Sequence, residues 1–366
     1  MTSSIDITGR KEDRAMTIRG NGGSVLALTA GALAFWAACA TAVSASAAPE
    51  GGWLPARMAA PAPARPAGGL SVPGQLHGVA AASGRDAWAV GFLELHRREP
   101  ILAHWDGRSW ITVSSPADLL FAVSKFPGGY WAVGSGTVIL RLTGSTVRRV
   151  RVPAAGAPLY GVTATSATNA WAVGGRQHIL HWNGTAWKPA PVPFRRGAGP
   201  FVAVAATSAA NAWAVTRNAE IVHWNGRKWS HVASPTIPGR SYTLSGVAAT
   251  SAKNAWAVGT TSTSRTLILH WNGRRWRRVP SPNPNQGLAG DGLLAVAASS
   301  AGNAWAVGFG AGTLAEHWDG ASWKVVPTPG CCELHGISIL PSGRAWAVGT
   351  TNSDTLIIRW NGTAWH

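Results

Sequence analysis

Gly246-Val-Ala-Ala-Thr-Ser-Ala-Lys-Asn-Ala-Trp-Ala-Val-Gly259, followed after a variable stretch by Leu267-Ile-Leu-His-Trp-Asn-Gly-Arg-Arg-Trp-Arg-Arg-Val-Pro-Ser-Pro282, is one unit of a repeat that fills most of this 366-residue chain. Its most constant phrase, Ala-Trp-Ala-Val, occurs six times, and a seventh copy is shortened to Trp-Ala-Val. The tryptophans are Trp88, Trp131, Trp171, Trp213, Trp256, Trp305 and Trp346. The intervals between them are 43, 40, 42, 43, 49 and 41 residues, the period of units that each make one four-stranded propeller blade. Small residues and Val at 246–250 suit a crowded innermost strand, Ser251 to Asn254 is a turn, and Ala255 to Val258 a second strand. Leu267 to Trp271 is a third strand running into the hairpin signal Asn272-Gly273, and Trp276 to Val279 a fourth that ends at Pro280. The pattern predicts an all-β, seven-bladed propeller of four-stranded antiparallel blades over residues 76–366.

Nineteen of the 21 tryptophans fall at three repeated positions, and large flat side chains of this kind are what blades stacked face to face need. At about 25 cal/mol per Å², each buried indole contributes roughly 4 to 6 kcal/mol before entropy is subtracted. Blade two departs from the pattern, with Leu142 and Val147 where blade three has Trp182 and Trp187, and is expected to pack least tightly. The seventh unit ends at Trp365-His366, short of a full outer strand. Gly52-Trp53-Leu54-Pro55 echoes Ala186-Trp187-Lys188-Pro189, which makes Trp53 a candidate to complete that blade.

Arg14 and Arg19, an apolar run from Val25 to Val43 and Ala45-Ser46-Ala47 read as a signal peptide over residues 1–47. A retained membrane anchor is the competing reading. Residues 48–75, rich in Pro and Ala, form a linker. The expected location is secreted or bound to the cell envelope. The formal net charge of +17 is nearly independent of the leader, which holds four basic and three acidic residues. Anionic cell-envelope polymers are candidate partners for so basic a chain, and export argues against nucleic acid.

The hairpins Trp105-Asp106-Gly107-Arg108-Ser109-Trp110 and Trp318-Asp319-Gly320-Ala321-Ser322-Trp323 resemble degenerate Asp-box turns, found in sialidase-like propellers and in propellers similar to photosystem assembly factors. The Ala-Trp-Ala-Val-Gly strand is similar to repeats of secreted actinobacterial propellers grouped with kelch and galactose-oxidase types. This resemblance covers residues 76–365 and implies the fold alone, because propellers host many unrelated functions.

His104, His181, His223, His270 and His317 share one repeat position just before the third-strand Trp. Equivalent positions of adjacent blades lie on the order of 14 Å apart at that radius, too far for zinc donors about 2 Å from an ion, so the ring is read as bonding a neighbouring strand or turn and no metal is expected. Few acids remain outside turn positions. Tyr130, Tyr160 and Tyr242 are the only tyrosines, which leaves neither a sialidase site nor a copper site with tyrosine ligands, and no cofactor is expected. The reading leans away from catalysis.

Connection lengths vary between second and third strands and between blades, and both sets emerge on one face, where binding is expected. Its distinctive residues are Arg97, Arg98, Arg195, Arg196, Arg240, Tyr242, Asp291, Cys331, Cys332, Glu333 and His335. Cys331 and Cys332 are adjacent and are expected to form a vicinal disulfide in an oxidising compartment. The function read from the sequence is a monomeric, exported scaffold that binds protein, peptide or glycan. The alternatives are a glycan-active hydrolase or lyase in the central channel and an assembly factor for a membrane protein complex. First strands of Val, Ala, Thr and Ser favour binding over catalysis.

Overall fold

In a computed structural model, the described residues run from Leu70 to His366, without 94–98, 153–155, 176–177, 194 and 286–289. They form five four-stranded antiparallel sheets and one of seven strands that holds blades six and seven, with the strands of each blade in chain order. Blade one comprises Gln75–Ser83, Asp86–Phe92, Pro100–Trp105 and Trp110–Thr112; blade two, Leu120–Phe126, Gly129–Gly134, Ile139–Thr143 and Thr146–Arg149. Blade five, the unit quoted first, comprises Tyr242–Ser251, Asn254–Thr261, Thr266–Trp271 and Trp276–Val279. Blade seven has Glu333–Ile339, Ala345–Thr350 and Thr355–Trp360, and a single bridge from Phe309 to Glu333 joins its sheet to that of blade six. Each first strand lies against the first strands of both neighbours, including that of blade one against blade seven, so the sheets close into a ring around a central channel.

The hairpin between third and fourth strands shows why its sequence is constant. Asn225 Oδ1 accepts from the backbone N–H of Arg227 and Lys228, Asn272 Oδ1 from Arg274 and Arg275, and Asp106 Oδ1 from Arg108 and Ser109. The glycine that follows sits at positive φ, +97° at Gly107 and +88° at Gly273, where a side chain is disfavoured. The third-strand indole N–H reaches back across the blade to the first turn: Trp182 Nε1 donates to Ala167 O at 2.9 Å and Trp271 Nε1 to Ala252 O at 3.0 Å.

The indoles wedge between blades, as the repeat predicts. The second-strand Trp of one blade packs on the third- and fourth-strand Trp of the next: Trp171 on Trp224 and Trp229 (5.0 and 5.1 Å between centroids), Trp213 on Trp271 and Trp276 (4.9 and 5.2 Å). Trp346 of blade seven meets Trp105 and Trp110 of blade one at 5.2 and 5.4 Å, so ring closure uses the same joint. The outer position of blade seven is taken by the chain's own last residues. Trp360 bridges Trp365, Arg359 and His366 exchange backbone bonds, and Trp365 packs 5.0 Å from Trp305. Trp53, together with the leader over 1–47, lies outside the described residues. Residues 70–74, read as the end of the linker, belong to the wheel: Thr355 N–H donates to Val72 O, Gly74 N–H to Ser353 O, and Thr355 Oγ1 to Leu70 O.

Candidate functional site: the mouth of the central channel

Incoming connections between blades are hydrogen-bonded to the turns between second and third strands: Ser135 N–H to Leu119 O, Gly175 N–H to Pro158 O, Asp291 N–H to Ser264 O. Both variable sets of loops therefore share one face. On entering the wheel from that face, every first strand carries a bulge, seen as a register shift between Leu76 and Gly78, Leu120 and Ala122, Phe201 and Ala203, Leu244 and Gly246, Leu293 and Ala295, and Leu334 and Gly336. In blade three the shift brackets Tyr160. A bulge leaves one residue unpaired and re-aims its side chain. It also explains the glycine that follows Trp-Ala-Val in six units: a Cβ on Gly91 would lie 1.9 Å from Gln75 O, and one on Gly349 1.9 Å from Glu333 O.

The residues aimed in this way are His77, Phe121, Tyr160, Val202, Ser245, Leu294 and His335, and four of them make a contiguous aromatic row across blades seven, one, two and three. The His77 ring stacks on His335 at 5.1 Å and on Phe92 at 4.7 Å, with interplanar angles of 11° and 18°. Phe121 stands edge-on to His77 and Phe92 at 6.3 and 6.1 Å and meets Tyr160 at 5.5 Å. His335 Nδ1 faces Leu76 O at 3.1 Å and Nε2 faces Glu333 Oε2 at 3.0 Å. Both ring nitrogens thus face oxygen atoms of neighbouring groups. Burial, and then the charge of His335, push the His77 imidazole down to about 3, which keeps it neutral. Past the bulge the first strands are mainly Val, Ala, Thr and Ser, with Lys125 and Phe126 in blade two and Ile337 and Ile339 in blade seven, whereas the mouth is aromatic.

Of the residues singled out in the sequence, Glu333 and His335 fall in this row, and Cys331 and Cys332 adjoin them. The two cysteines lie Sγ to Sγ 3.1 Å apart, and Cys332, at φ +93°, directs its Sγ toward Asn352 Oδ1 at 3.1 Å. The others are scattered. Arg195 Nη1 donates to both carboxylate oxygens of Glu220 at 3.1 Å, Arg196 is exposed in the adjacent turn, and Arg240 is exposed in a turn closed by its own N–H on Ile237 O. Tyr242 donates its hydroxyl to Pro235 O at 2.7 Å, and burial raises its pKa. Asp291, read as a surface loop residue, is wholly buried and accepts from the side chain and backbone N–H of Asn285. Arg97 and Arg98 lie outside the described residues.

The repeated histidines have the bonding role their position suggests. His181, His223, His270 and His317 bind through Nε2 to Oδ1 of Asn169, Asn211, Asn254 and Asn303, and His104 to Asp86, at 2.7–2.9 Å. Each Asn in turn donates to a Thr or Ser hydroxyl four residues earlier. Sequence reasoning missed His77, Phe92, Phe121 and Tyr160. The one available signal was a residue of changing type in an otherwise constant frame, Leu-x-Gly or its variants, at the start of each unit.

No protein-family model and no curated protein sequence matches this chain. Among solved structures, it is similar to YCF48 from Cyanidioschyzon merolae (TM-score 0.57, 18% identity, 78% of this chain and 97% of that one). It is similar also to YCF48 bound to a D1 peptide (0.57, 16%, 80% and 96%) and to a streptogramin B lyase (0.61, 15%, 80% and 96%). At these identities the likeness establishes the propeller fold and nothing finer.

Proposed function

We propose that the protein is an exported, monomeric binding propeller that captures a peptide segment of a partner protein at the channel mouth. The observation that carries this reading is the row His335, His77, Phe92, Phe121 and Tyr160, an aromatic platform on the loop-rich face with a polar end at Glu333. Rigid aromatics at the centre and charge at the rim are what a recognition surface needs. YCF48, of the same fold, has been solved with a peptide bound, which supports a peptide as the kind of ligand. An assembly role for a membrane protein complex is the finer version of this reading, with that complex as the client.

A lyase or hydrolase is the second reading, favoured by the His335–Glu333 couple beside a neutral His77 at the channel entrance and by a lyase of the same fold. Binding of the protein to an array of peptides and envelope glycans, repeated with Phe121→Ala and Tyr160→Ala, separates the readings. Peptide capture lost in both variants upholds the first. Turnover of a glycan or cyclic peptide that His335→Gln abolishes would replace it with the second. Export predicts that the protein recovered from the medium lacks residues 1–47 and carries Cys331 and Cys332 as a vicinal disulfide, read by peptide mass without reductant.

A further inference from the structure

The outer hairpin of blade two concentrates positive charge on one side without an acid to meet it. Arg141 and Arg148 are direct cross-strand partners and therefore share a side of the sheet with Thr143 and Thr146, the pair two places further along. The four side chains line a single depression at the rim, on the face opposite the channel mouth discussed above. Like charges directly opposite on adjacent strands are destabilising unless something neutralises them, and among the described residues neither arginine forms an ion pair.

The repeat shows how the place was made. In five blades the position of Arg141 holds a histidine tied to an Asn or Asp at the start of the second strand. In blade two that acceptor is Gly129, which has no side chain, and the histidine is an arginine with a permanent charge. The guanidinium sits over Phe126 and Trp131, at 5.3 and 5.7 Å from the ring centroids, which restrains it before any ligand arrives. Two guanidinium forks and two hydroxyls around a small depression match the donors that a tetrahedral oxyanion takes up.

We infer that Arg141, Arg148, Thr143 and Thr146 form a phosphate-binding site, for a phosphomonoester, pyrophosphate or the phosphodiester of an anionic polymer. It is separate from the channel mouth, and its failure would leave that reading untouched. The test is titration of the protein with inorganic pyrophosphate and with a poly(glycerol phosphate) chain, at low and at moderate salt. Arg141→His installs the residue that five other blades carry and so spares the fold; Arg148→Ser is the second variant, and Arg274→Ser on blade five the control. The expected result is at least a tenfold loss of affinity in Arg141→His and Arg148→Ser with the control unchanged. Tighter binding per phosphate for the polymer assigns the site to diesters, and the reverse order to free phosphates. Equal losses in all three variants would reduce the effect to net charge and overturn the site, as would no saturable binding of either probe.

Discussion

Six of the seven joints between blades are closed by three indoles, and one is not. Where blade one meets blade two, Trp88 faces Leu142 and Val147 rather than a pair of tryptophans, and the gap is taken up by Tyr130, which stands where the other units have the first Ala of Ala-Trp-Ala-Val. The sequence predicts the loosest packing here. Yet Trp88, Leu142 and Tyr130 are 1%, 0% and 4% exposed, so the joint is as dry as the others. It differs in kind: a phenol in place of two indoles donates its hydroxyl across the joint to Asp86 Oδ2 at 2.8 Å and accepts from Ala82 N–H, whereas the indole joint of blades seven and one keeps its three rings and adds a bond from Ala81 N–H to Ser338 Oγ at 3.1 Å. Apolar area that two tryptophans supply elsewhere is replaced by a smaller ring anchored by hydrogen bonds, and a repeat can lose its signature residues without opening a cavity.

The largest effect expected from this comparison is at an indole joint. Trp213→Ala removes a ring that is 0% exposed and packs on Trp271 and Trp276, and should cost about 3 to 5 kcal/mol in chemical unfolding. Trp88→Ala should cost less, because its neighbours are aliphatic and can move inward. Equal losses would show that the joints are energetically alike, and the contrast drawn above would fall.

The joint between blades five and six carries a liability that sharpens the comparison. Glu316 occupies the third-strand position held by Leu180, Val222 and Leu269 in other blades, is wholly buried, and among the described residues has no hydrogen-bond partner for either oxygen. Burial, and then the charge of Asp291, raise its pKa to about 8. A carboxyl that is harder to ionise in the folded state binds its proton more tightly there. Its contribution is therefore intact below the unfolded value of 4.5 and is lost as pH rises toward 8, up to about 5 kcal/mol in all. Glu316→Leu should stabilise the protein at pH 9 by far more than at pH 5. A gain that does not change with pH would show that the carboxyl binds its proton equally well folded and unfolded.

These joints also show what can be read from repeated residues. The wheel was legible because a propeller needs the same indole at the same place in each blade, and sameness is what a period detects. Asp291 and Glu316 were hidden for opposite reasons: one lies in a long loop that turns inward and so reads as surface, the other is a single charge in a strand of otherwise constant pattern. The channel mouth was hidden because its residues must differ from blade to blade. His77, Phe121, Tyr160 and His335 occupy one structural position with three chemistries, and the bulge that aims them has no sequence mark beyond a neighbouring glycine. Glu333 and His335 were found only through their proximity to a conspicuous cysteine pair.

The smallest effect tests the polar tie itself. Tyr130→Phe keeps the ring in the blade one to blade two joint and removes only the hydroxyl, so the packing argument is unchanged while Asp86 retains one partner, His104 Nε2 at 2.9 Å, and Ala82 N–H loses its acceptor. Burial, and then the bond to Asp86, hold the Tyr130 phenol well above the usual range, so it acts as a neutral donor at every accessible pH. The expected cost is about 1 to 2 kcal/mol, the price of a hydrogen bond to a charged acceptor plus one orphaned amide. Hydrogen exchange should localise it: amides of Ala80 to Ser83 and of the strand Gly129–Gly134 should lose protection in the variant, while those flanking Trp213 keep theirs. Uniform protection across both joints would mean that ring packing alone closes blade one against blade two, and that the tyrosine's hydroxyl is incidental.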